Sequence, residues 1–248
     1  NNAPSLFGTG SDVGYNPVRK LADGSTTQGE SFSIRALNGP GLVERPETLN
    51  GGDALRVAVL TANVSLQKSG FGDKLTSRLD SLQLPPLEVF SRNADRSASA
   101  IREAVETLQE KAHPHVLIAV LPNPESATDD LYAALKQSAS QHSLPSQVIL
   151  EDTLGNEYAV ANLALGVVSK MGGVPFLLDE PLPYADRVVG LDIARKEKER
   201  TRGTMSVAAS THHFGADGRL RHYATEEVRV EGETLPLDVL RTLFPKED

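Results

Sequence analysis

Short apolar runs alternate with amphipathic segments from about residue 53 to residue 180, and this alternation limits the folds open to the chain. The runs LRVAVLT at 55–61 and HVLIAVL at 115–121 are typical of strands buried on both faces. Between them, residues 97–111 carry apolar side chains at helical spacing. Strands that alternate with helices predict a parallel sheet covered on both faces. We therefore expect a Rossmann-like α/β fold in this region.

Weaker patterns complete the expected order of elements. Further strands are predicted at 87–90 and 148–150, and further helices at 70–82, 126–141 and 156–171. Asp129 and Asp130 are expected in the first turn of the 126–141 helix, where the helix dipole favours acidic groups. Gly172 and Gly173 provide the stop signal of the last helix. The Gly-rich segment at 8–14 lacks a preceding strand and the dinucleotide spacing, so we interpret it as a linker.

Changes in pattern divide the chain into three expected parts. Residues 1–50 are rich in Gly, Pro, Ser and Asn and are interpreted as a linker-like segment with a short strand at 31–37. Residues 51–182 form the Rossmann-like domain. Residues 183–248 contain three strands, predicted at 187–194, 203–214 and 219–230, and a short helix at 235–243. That order is how ribonuclease-H-like folds begin, and the sequence ends before such a fold would be complete.

Composition excludes several classes of protein. The net charge of −8, from 25 basic and 33 acidic residues, excludes a general nucleic-acid coating protein and requires any such ligand to bind in a local basic pocket. The absence of cysteine excludes disulfides and thiolate metal sites. No apolar run predicts a membrane span, and the first residues do not resemble a signal peptide. We expect a cytoplasmic protein without membrane partners, and a start without Met suggests a piece of a longer chain.

Four polar residues form the candidate site. Tyr132 and Lys136 share one face of a predicted helix, Gln147 opens the next strand, and Lys170 lies in the last turn of the following helix. Two ammonium groups, an amide and a phenol suit a terminal phosphate, and a tyrosine ring can stack on a base for about 1–3 kcal/mol. We expect the pocket beyond the carboxyl ends of the strands. Spacing alone fits solvated lysines and a surface tyrosine better than it fits a pocket.

The sequence from 146 to 195 resembles the junction between the MID and PIWI domains of the Argonaute family. It contains a Gln-led strand, an Asn-x-x-Leu helix, a Lys-x-Gly-Gly-x-Pro stop and a Gly-x-Asp strand, and a Tyr-x-x-x-Lys pair lies upstream. The resemblance covers about 53–248, and most of its specificity lies within 126–195. It implies that 51–182 is a MID domain and that 183–248 is the first part of a PIWI domain, of a prokaryotic type.

The resemblance assigns roles to five residues of the first domain. It implies that a guide 5′-phosphate is bound by Tyr132, Lys136, Gln147, Lys170 and Thr153. Gly166 falls where eukaryotic relatives often carry another lysine, so one phosphate contact is expected to be missing. In many prokaryotic relatives a divalent cation takes its place.

The resemblance also implies a nuclease site that needs Mg²⁺ or Mn²⁺. Asp192 matches its first metal-holding carboxylate, and Glu233 matches the glutamate finger, although Glu226, Glu227 and Glu231 lie close by. The remaining carboxylate and its final Asp or His partner would lie beyond residue 248. We therefore expect that this chain alone does not cleave, and that a second polypeptide or a longer chain completes the site.

The function expected from these features is binding of a guide DNA or RNA through its 5′-phosphate. In the family, the guide directs recognition of a complementary target strand and, in active members, endonucleolytic cleavage in host defence. One alternative is a cleavage-inactive Argonaute that acts as a recognition module, and another is a Rossmann-like domain that binds a small molecule. His212 and His213 are adjacent in a predicted strand, so their rings should point to opposite faces and cannot share a metal. The mixed-charge segment at 195–202 is either a contact to the guide backbone or a solvated loop.

Overall fold

The computed structural model describes residues 18–28, 34–49, 54–66, 69–123, 130–197, 204–231 and 235–244. Contacts divide the chain into two compact units, one that ends at Phe176 and one that begins at Leu177. The assignment of 51–182 and 183–248 as separate domains stays a prediction. No helix in the described part of the chain is both long enough and apolar enough to cross a bilayer.

The segment before the sheet contributes to the core of the first unit. Its strands β1 (Val18–Lys20) and β2 (Thr26–Gln28) pair antiparallel. The strand predicted at 31–37 is wrong over its described part, because Ile34–Leu37 is a 3-10 helix. This turn buries Leu37 completely, and Ala36 packs against the same core. Leu21, Leu42 and Leu49 are buried in the same core, so the described part of 1–50 packs on the unit and is not a free linker. Residues 8–14 lie outside the described part.

The central sheet of the first unit has four parallel strands. They are β3 (Leu55–Ala62), β4 (Leu87–Ala94), β5 (Val116–Leu121) and β6 (Ser146–Leu150), in the spatial order β4-β3-β5-β6. This confirms the predicted parallel α/β fold. β4 is four residues longer than predicted, because it is an edge strand and tolerates polar residues that a central strand would exclude.

Four helices cover the two faces of this sheet, as the strand–helix alternation predicted. They are α1 (Phe71–Ser81), α2 (Ala98–Ala112), α3 (Leu131–Gln141) and α4 (Glu157–Lys170). Buried side chains of α1 and α4 form one hydrophobic cluster on one face, and those of α2 and α3 form another on the opposite face. Each face therefore has its own core, and the sheet separates them.

The start of α3 differs from the sequence prediction. Asp130 is the N-cap, and its carboxylate accepts a hydrogen bond from the Ala133 amide at 2.8 Å. An aspartate in this position competes well for the first free amides, so α3 begins directly after Asp130 and does not include it. Asp129 lies outside the described part of the chain.

The second unit is a three-stranded antiparallel sheet with one short helix. After the two-residue strand β7 (Leu177–Leu178) come β8 (Arg187–Glu197), β9 (Thr204–Gly215), β10 (Leu220–Glu231) and α5 (Leu237–Leu243). The order is β10-β9-β8, so each strand pairs with its neighbour in sequence. The predicted order of three strands and a helix is confirmed.

One face of β9 holds the core of the second unit. Thr211 and His213 are buried there, and the Thr211 hydroxyl donates to the carbonyl of Leu243 at 3.0 Å. His212 instead stacks against Tyr223, with ring centroids 4.9 Å apart. The two histidine rings thus lie on opposite faces, as the strand period requires.

Candidate functional site

The candidate site lies along β6, whose outer edge has no partner strand among the described residues. Side chains alternate between the two faces of a strand. Ile149 packs in the cluster of α1 and α4, and Val148 packs against the cluster of α2 and α3. Alternation therefore places Gln147 on the α4 face and Ser146 on the α3 face.

Two lysines reach Ser146 from opposite faces of the sheet. Lys170, at the end of α4, donates to the Ser146 carbonyl at 2.6 Å. Lys136, on α3, donates to the same carbonyl at 2.8 Å and to the Ser146 hydroxyl at 3.0 Å. The preceding carbonyl, that of Pro145, bonds Leu117 of β5, so the Ser146 carbonyl points to the free edge. The structure thus brings the two predicted lysines together on one acceptor.

The positive charge of this lysine pair is not balanced by a carboxylate of the described residues. Within the described ranges, no carboxylate forms an ion pair with Lys136 or Lys170. Burial, followed by the charge of Lys170, lowers the pKa of Lys136 to about 8. An anion placed between the two ammonium groups would oppose both effects and raise the pKa of Lys136.

Tyr132 lies one helical turn before Lys136 on α3, as the spacing predicted. The Lys136 ammonium is 5.6 Å from the centre of the Tyr132 ring, close enough for a cation–π interaction. The tyrosine is 55% exposed, so its ring keeps a surface on which a planar ligand group could stack.

Gln147 lies against Gly166 of α4. A Cβ atom added at Gly166 would be 3.0 Å from both Cδ and Nε2 of Gln147, which is closer than side chains normally pack. The amide of Gln147 makes no hydrogen bond within the described part of the protein. The glycine therefore lets the glutamine lie across the helix while its amide remains available to a ligand.

The position of the site in the sheet corrects the sequence prediction. The pocket was expected beyond the carboxyl ends of the strands, but the lysines meet at Ser146, the first residue of β6. A loop that precedes a strand lies at its amino end, so residues at the start of β6 cannot reach the opposite edge. Helix α4 ends here with Lys170, and a helix C-terminus does not attract anions. The lysines must therefore supply the attraction themselves.

Thr153 is not brought to the other four predicted residues. It lies in the 3-10 helix Glu151–Thr153 that follows β6, and its hydroxyl donates to the carbonyl of Leu150 at 2.8 Å. The strand between Ser146 and Leu150 covers roughly 13 Å at the usual rise per residue. The assignment of Thr153 to the phosphate pocket stays a prediction.

The predicted nuclease residues are in the second unit or outside the described part. Asp192 is an exposed residue of β8, and its carboxylate accepts from the amide of Ile193 at 3.0 Å. Glu233 lies outside the described residues. Glu226 and Glu227 are on β10, which β9 separates from β8 by two strand spacings, roughly 10 Å.

The described residues do not by themselves fit a magnesium or manganese ion. Such ions take several oxygen ligands in a tight octahedral arrangement. No group of three or more acidic or histidine side chains in the described ranges could hold one. Asp192 supplies a single exposed carboxylate, so the expected metal site would need groups beyond these residues.

Sequence reasoning did not identify Ser146. Ser146 directly precedes Gln147 in the sequence. Its role became clear only from the structure, in which both lysines donate to its carbonyl and Lys136 also donates to its hydroxyl. A small polar residue at the start of an edge strand gives little signal in a sequence.

Comparison with known proteins agrees with this architecture. The model of the Piwi domain matches residues 116–245, just over half of the chain. The argonaute protein of Aquifex aeolicus is 32% identical over 117 residues, which cover 46% of this chain and 16% of that protein. The argonaute protein of Methanocaldococcus jannaschii is 23% identical over 203 residues, which cover 77% of this chain and 28% of that protein.

Solved structures show a similar fold. A crystal structure of Aa-Ago with externally bound siRNA matches with a TM-score of 0.60 and 22% identity, over 87% of this chain and 31% of that one. The MID-PIWI domains of an N. crassa AGO protein match with a TM-score of 0.53 and 14% identity, over 71% of this chain and 52% of that one. The chain thus spans less than a third of the length of the two sequence relatives.

Proposed function

Because the chain belongs to the Argonaute family, we propose that it binds the 5′-phosphate end of a guide nucleic acid through Tyr132, Lys136, Gln147 and Lys170. One observation carries the proposal. Ammonium groups from two different helices meet on the Ser146 carbonyl without a carboxylate to balance them in the described part of the chain. Ordinary surface lysines spread into solvent and do not converge in this way.

Charge explains why a terminal phosphate suits the pocket better than an internal one. A phosphate monoester carries about −1.5 to −2 charges at neutral pH and offers three acceptor oxygens. A phosphodiester within a strand carries a single negative charge. Two adjacent ammonium groups are balanced by the monoester and only half balanced by the diester. The pocket therefore favours the end of a strand.

The other two residues supply direction. The free Gln147 amide can donate to a phosphate oxygen, and the phenol of Tyr132 can do the same. The exposed Tyr132 ring can stack on the first base, a contact that tolerates any base. In this proposal the lysines provide most of the affinity, while the glutamine and tyrosine set the orientation.

For the whole protein we propose guide-directed recognition of a complementary target strand. Asp192, with Glu233, would be this chain's contribution to a site that holds Mg²⁺ or Mn²⁺. Such ions stabilise the attacking and leaving oxygens of a phosphodiester during cleavage. The described residues hold too few ligands for a metal, so cleavage would need further groups beyond them. The second candidate is a cleavage-inactive recognition module, and the presence of Asp192 argues against it.

The proposal is tested with pairs of oligonucleotides that differ only in a 5′-phosphate or a 5′-hydroxyl. Both DNA and RNA pairs, labelled at the 3′ end, are titrated with the protein, and fluorescence anisotropy gives the dissociation constants. Two charge-assisted contacts at about 1.5 kcal/mol or more each predict a preference of roughly 100-fold for the phosphate. Equal affinity for the two ends would contradict the proposal and favour the small-molecule alternative.

Variants show whether the preference comes from the lysine pair. Lys136→Ala combined with Lys170→Ala should abolish it. The matched control combines Lys74→Ala with Lys111→Ala, which removes the same charge from helices of the same unit. Lys74 also bonds a backbone carbonyl, that of Gly155, but Gly155 follows the carboxyl end of β6, whereas the candidate site lies at its first residue, Ser146. The control should keep the preference, and its loss there would mean that total charge matters and the pocket does not.

A further inference from the structure

We infer that Ser146 is the positioning residue of this pocket and a further donor to the phosphate. Its carbonyl and hydroxyl hold the two ammonium groups side by side before an anion arrives. This inference rests on the proposed function and adds a residue that neither the spacing of the sequence nor the resemblance assigned.

The contacts around Ser146 support the positioning role. The residue is only 7% exposed, so it is a fixed part of the protein interior and not a mobile surface group. It accepts three hydrogen bonds from the two lysines, and two of them come from Lys136. Long lysine side chains lose considerable rotamer freedom when they are fixed. Bonds already made to Ser146 offset that cost before the ligand binds.

Repulsion between the lysines makes such an acceptor necessary. The two ammonium groups come from opposite faces of the sheet and would otherwise separate into solvent. A shared acceptor keeps them adjacent at the free edge of β6. The phosphate then meets a pair that is already assembled, which is the general advantage of preorganised binding.

The hydroxyl hydrogen of Ser146 supports the second role. Since Oγ accepts from Lys136, its own O–H is free to donate, and none of the described residues accepts from it. A buried hydroxyl beside two ammonium groups is a suitable donor for an oxygen of a bound phosphate. Ser146 would thus donate a hydrogen bond to the phosphate while it accepts hydrogen bonds from the two lysines.

The experiment compares Ser146→Ala and Ser146→Thr with the unaltered protein, using the same pairs of oligonucleotides. Alanine removes the hydroxyl and leaves the backbone carbonyl, so the preference for the phosphate should fall about fivefold to tenfold. Threonine keeps a hydroxyl and should restore most of it. Ser138→Ala is the control, because Ser138 is buried on the same helix as Lys136 and bonds neither ammonium group in the described contacts. It should leave the preference unchanged.

The pH dependence of the preference gives a readout that a purely structural role would not move. The Ser146 hydroxyl accepts from the charged form of Lys136 and favours it, while Lys170 is the nearby charge that opposes it. Without the hydroxyl, the pH at which the preference declines should move below that of the unaltered protein. A purely structural defect would weaken both oligonucleotides alike and leave this pH in place.

The outcomes separate the two proposals. If the unaltered protein shows no preference for the phosphate, the proposed function fails. If it prefers the phosphate while Ser146→Ala keeps that preference within twofold and the same pH dependence, the inference about Ser146 is overturned and the function stands. Should Ser146→Ala melt at a much lower temperature, Ser146→Cys decides, since it keeps the size and replaces the hydroxyl by a weak partner. If Ser146→Cys loses the preference for the phosphate, the inference is supported. If Ser146→Cys keeps that preference, the inference is overturned.

Discussion

The edge of β6 in the first unit and the middle of β8 in the second unit both carry residues that the sequence linked to nucleic-acid chemistry, but they differ in how complete they are. At β6, groups from a strand and two helices meet within hydrogen-bonding distance. At β8, Asp192 is exposed, and its nearest acidic candidates on β10 are two strands away.

The difference follows from architecture. In a parallel sheet, helices on both faces can send side chains around the same edge strand, so residues distant in sequence converge. In an antiparallel meander, neighbours are set by register, and a carboxylate meets only what the adjacent strand offers opposite it. The proposed binding groups are therefore assembled within the first unit, whereas a metal site at Asp192 in the second unit would need further ligands from elsewhere.

The strongest test of this difference between the two regions reverses the charge of one lysine at β6, Lys136. Lys136→Glu would place a carboxylate beside Lys170, where it would pair with the ammonium group in place of the phosphate. We expect the preference for a 5′-phosphate to disappear, a loss of roughly 100-fold. The anisotropy titration measures it, and Lys74→Glu is the control of equal charge. A preference that survives Lys136→Glu would show that the lysine pair is not the phosphate site.

The preference for a 5′-phosphate should depend on pH, because Lys136 titrates near neutral pH. The pKa of Lys136 is lowered to about 8 in the unliganded protein, so the ammonium is charged below pH 8 and mostly neutral above it. A terminal phosphate has its second pKa near 6 and stays dianionic over this range. The preference for the phosphate should therefore be present at pH 7 and fall about tenfold by pH 9.

The arginine variant controls for other effects of pH. Arginine stays charged throughout this range, so Lys136→Arg should flatten the pH dependence even if its affinity differs. Titrations at four pH values between 7 and 9 would suffice. A decline of the same steepness in Lys136→Arg would assign the pH dependence to another group.

A smaller effect is expected at Gly166. Gly166→Ala would press a methyl group against the Gln147 amide and turn it from the pocket, with a twofold to fivefold loss of the preference. Because glycine disfavours helices, the same change should stabilise α4 by about 0.5–1 kcal/mol once the flexible Gln147 side chain has moved aside. Gly72→Ala in α1 is the control, because a Cβ there meets nothing within 4 Å. Denaturant unfolding should show a gain of stability in both variants. The anisotropy titration should show a loss of the phosphate preference in Gly166→Ala and none in Gly72→Ala.

The smallest effect is expected in the second unit. Asp192→Asn should change the affinity for a 5′-phosphorylated oligonucleotide by less than about twofold, because Asp192 is exposed and bonds only a neighbouring amide among the described residues. A large loss would mean that this carboxylate takes part in binding the guide end, and it would remove the distinction between the two regions. The measurement is the same titration, with and without added Mg²⁺.

The sequence predicted most of the helices and strands, because the spacing of apolar residues that identifies them is a local property of the chain. Apolar runs such as LRVAVLT identified buried strands, and the i, i+4 spacing placed Tyr132 and Lys136 on one helix face, as the structure shows. The 3-10 helix at Ile34–Leu37 was missed because Leu37 and Ala36, which pack on the core, are adjacent and do not follow the period of two of a strand.

The arrangement of the site was beyond local pattern. Sequence spacing does not reveal which strand becomes the edge of a sheet, so it could not show that Lys136 and Lys170 approach β6 from opposite faces. It also could not show that the pocket lies at the amino end of that strand. Ser146 became identifiable only from this tertiary arrangement.

The convergence of two lysines on the Ser146 carbonyl has a consequence for solubility. An unpaired strand edge is a template on which another chain can add a strand and begin to aggregate, and charged lysines at such an edge oppose this. The lysines proposed to bind a guide therefore also oppose the addition of another strand at the edge of β6. Removing both lysines should leave a protein that binds the guide more weakly and also self-associates more readily. In the unaltered protein, a guide bound to the lysine pair should cover the same strand edge.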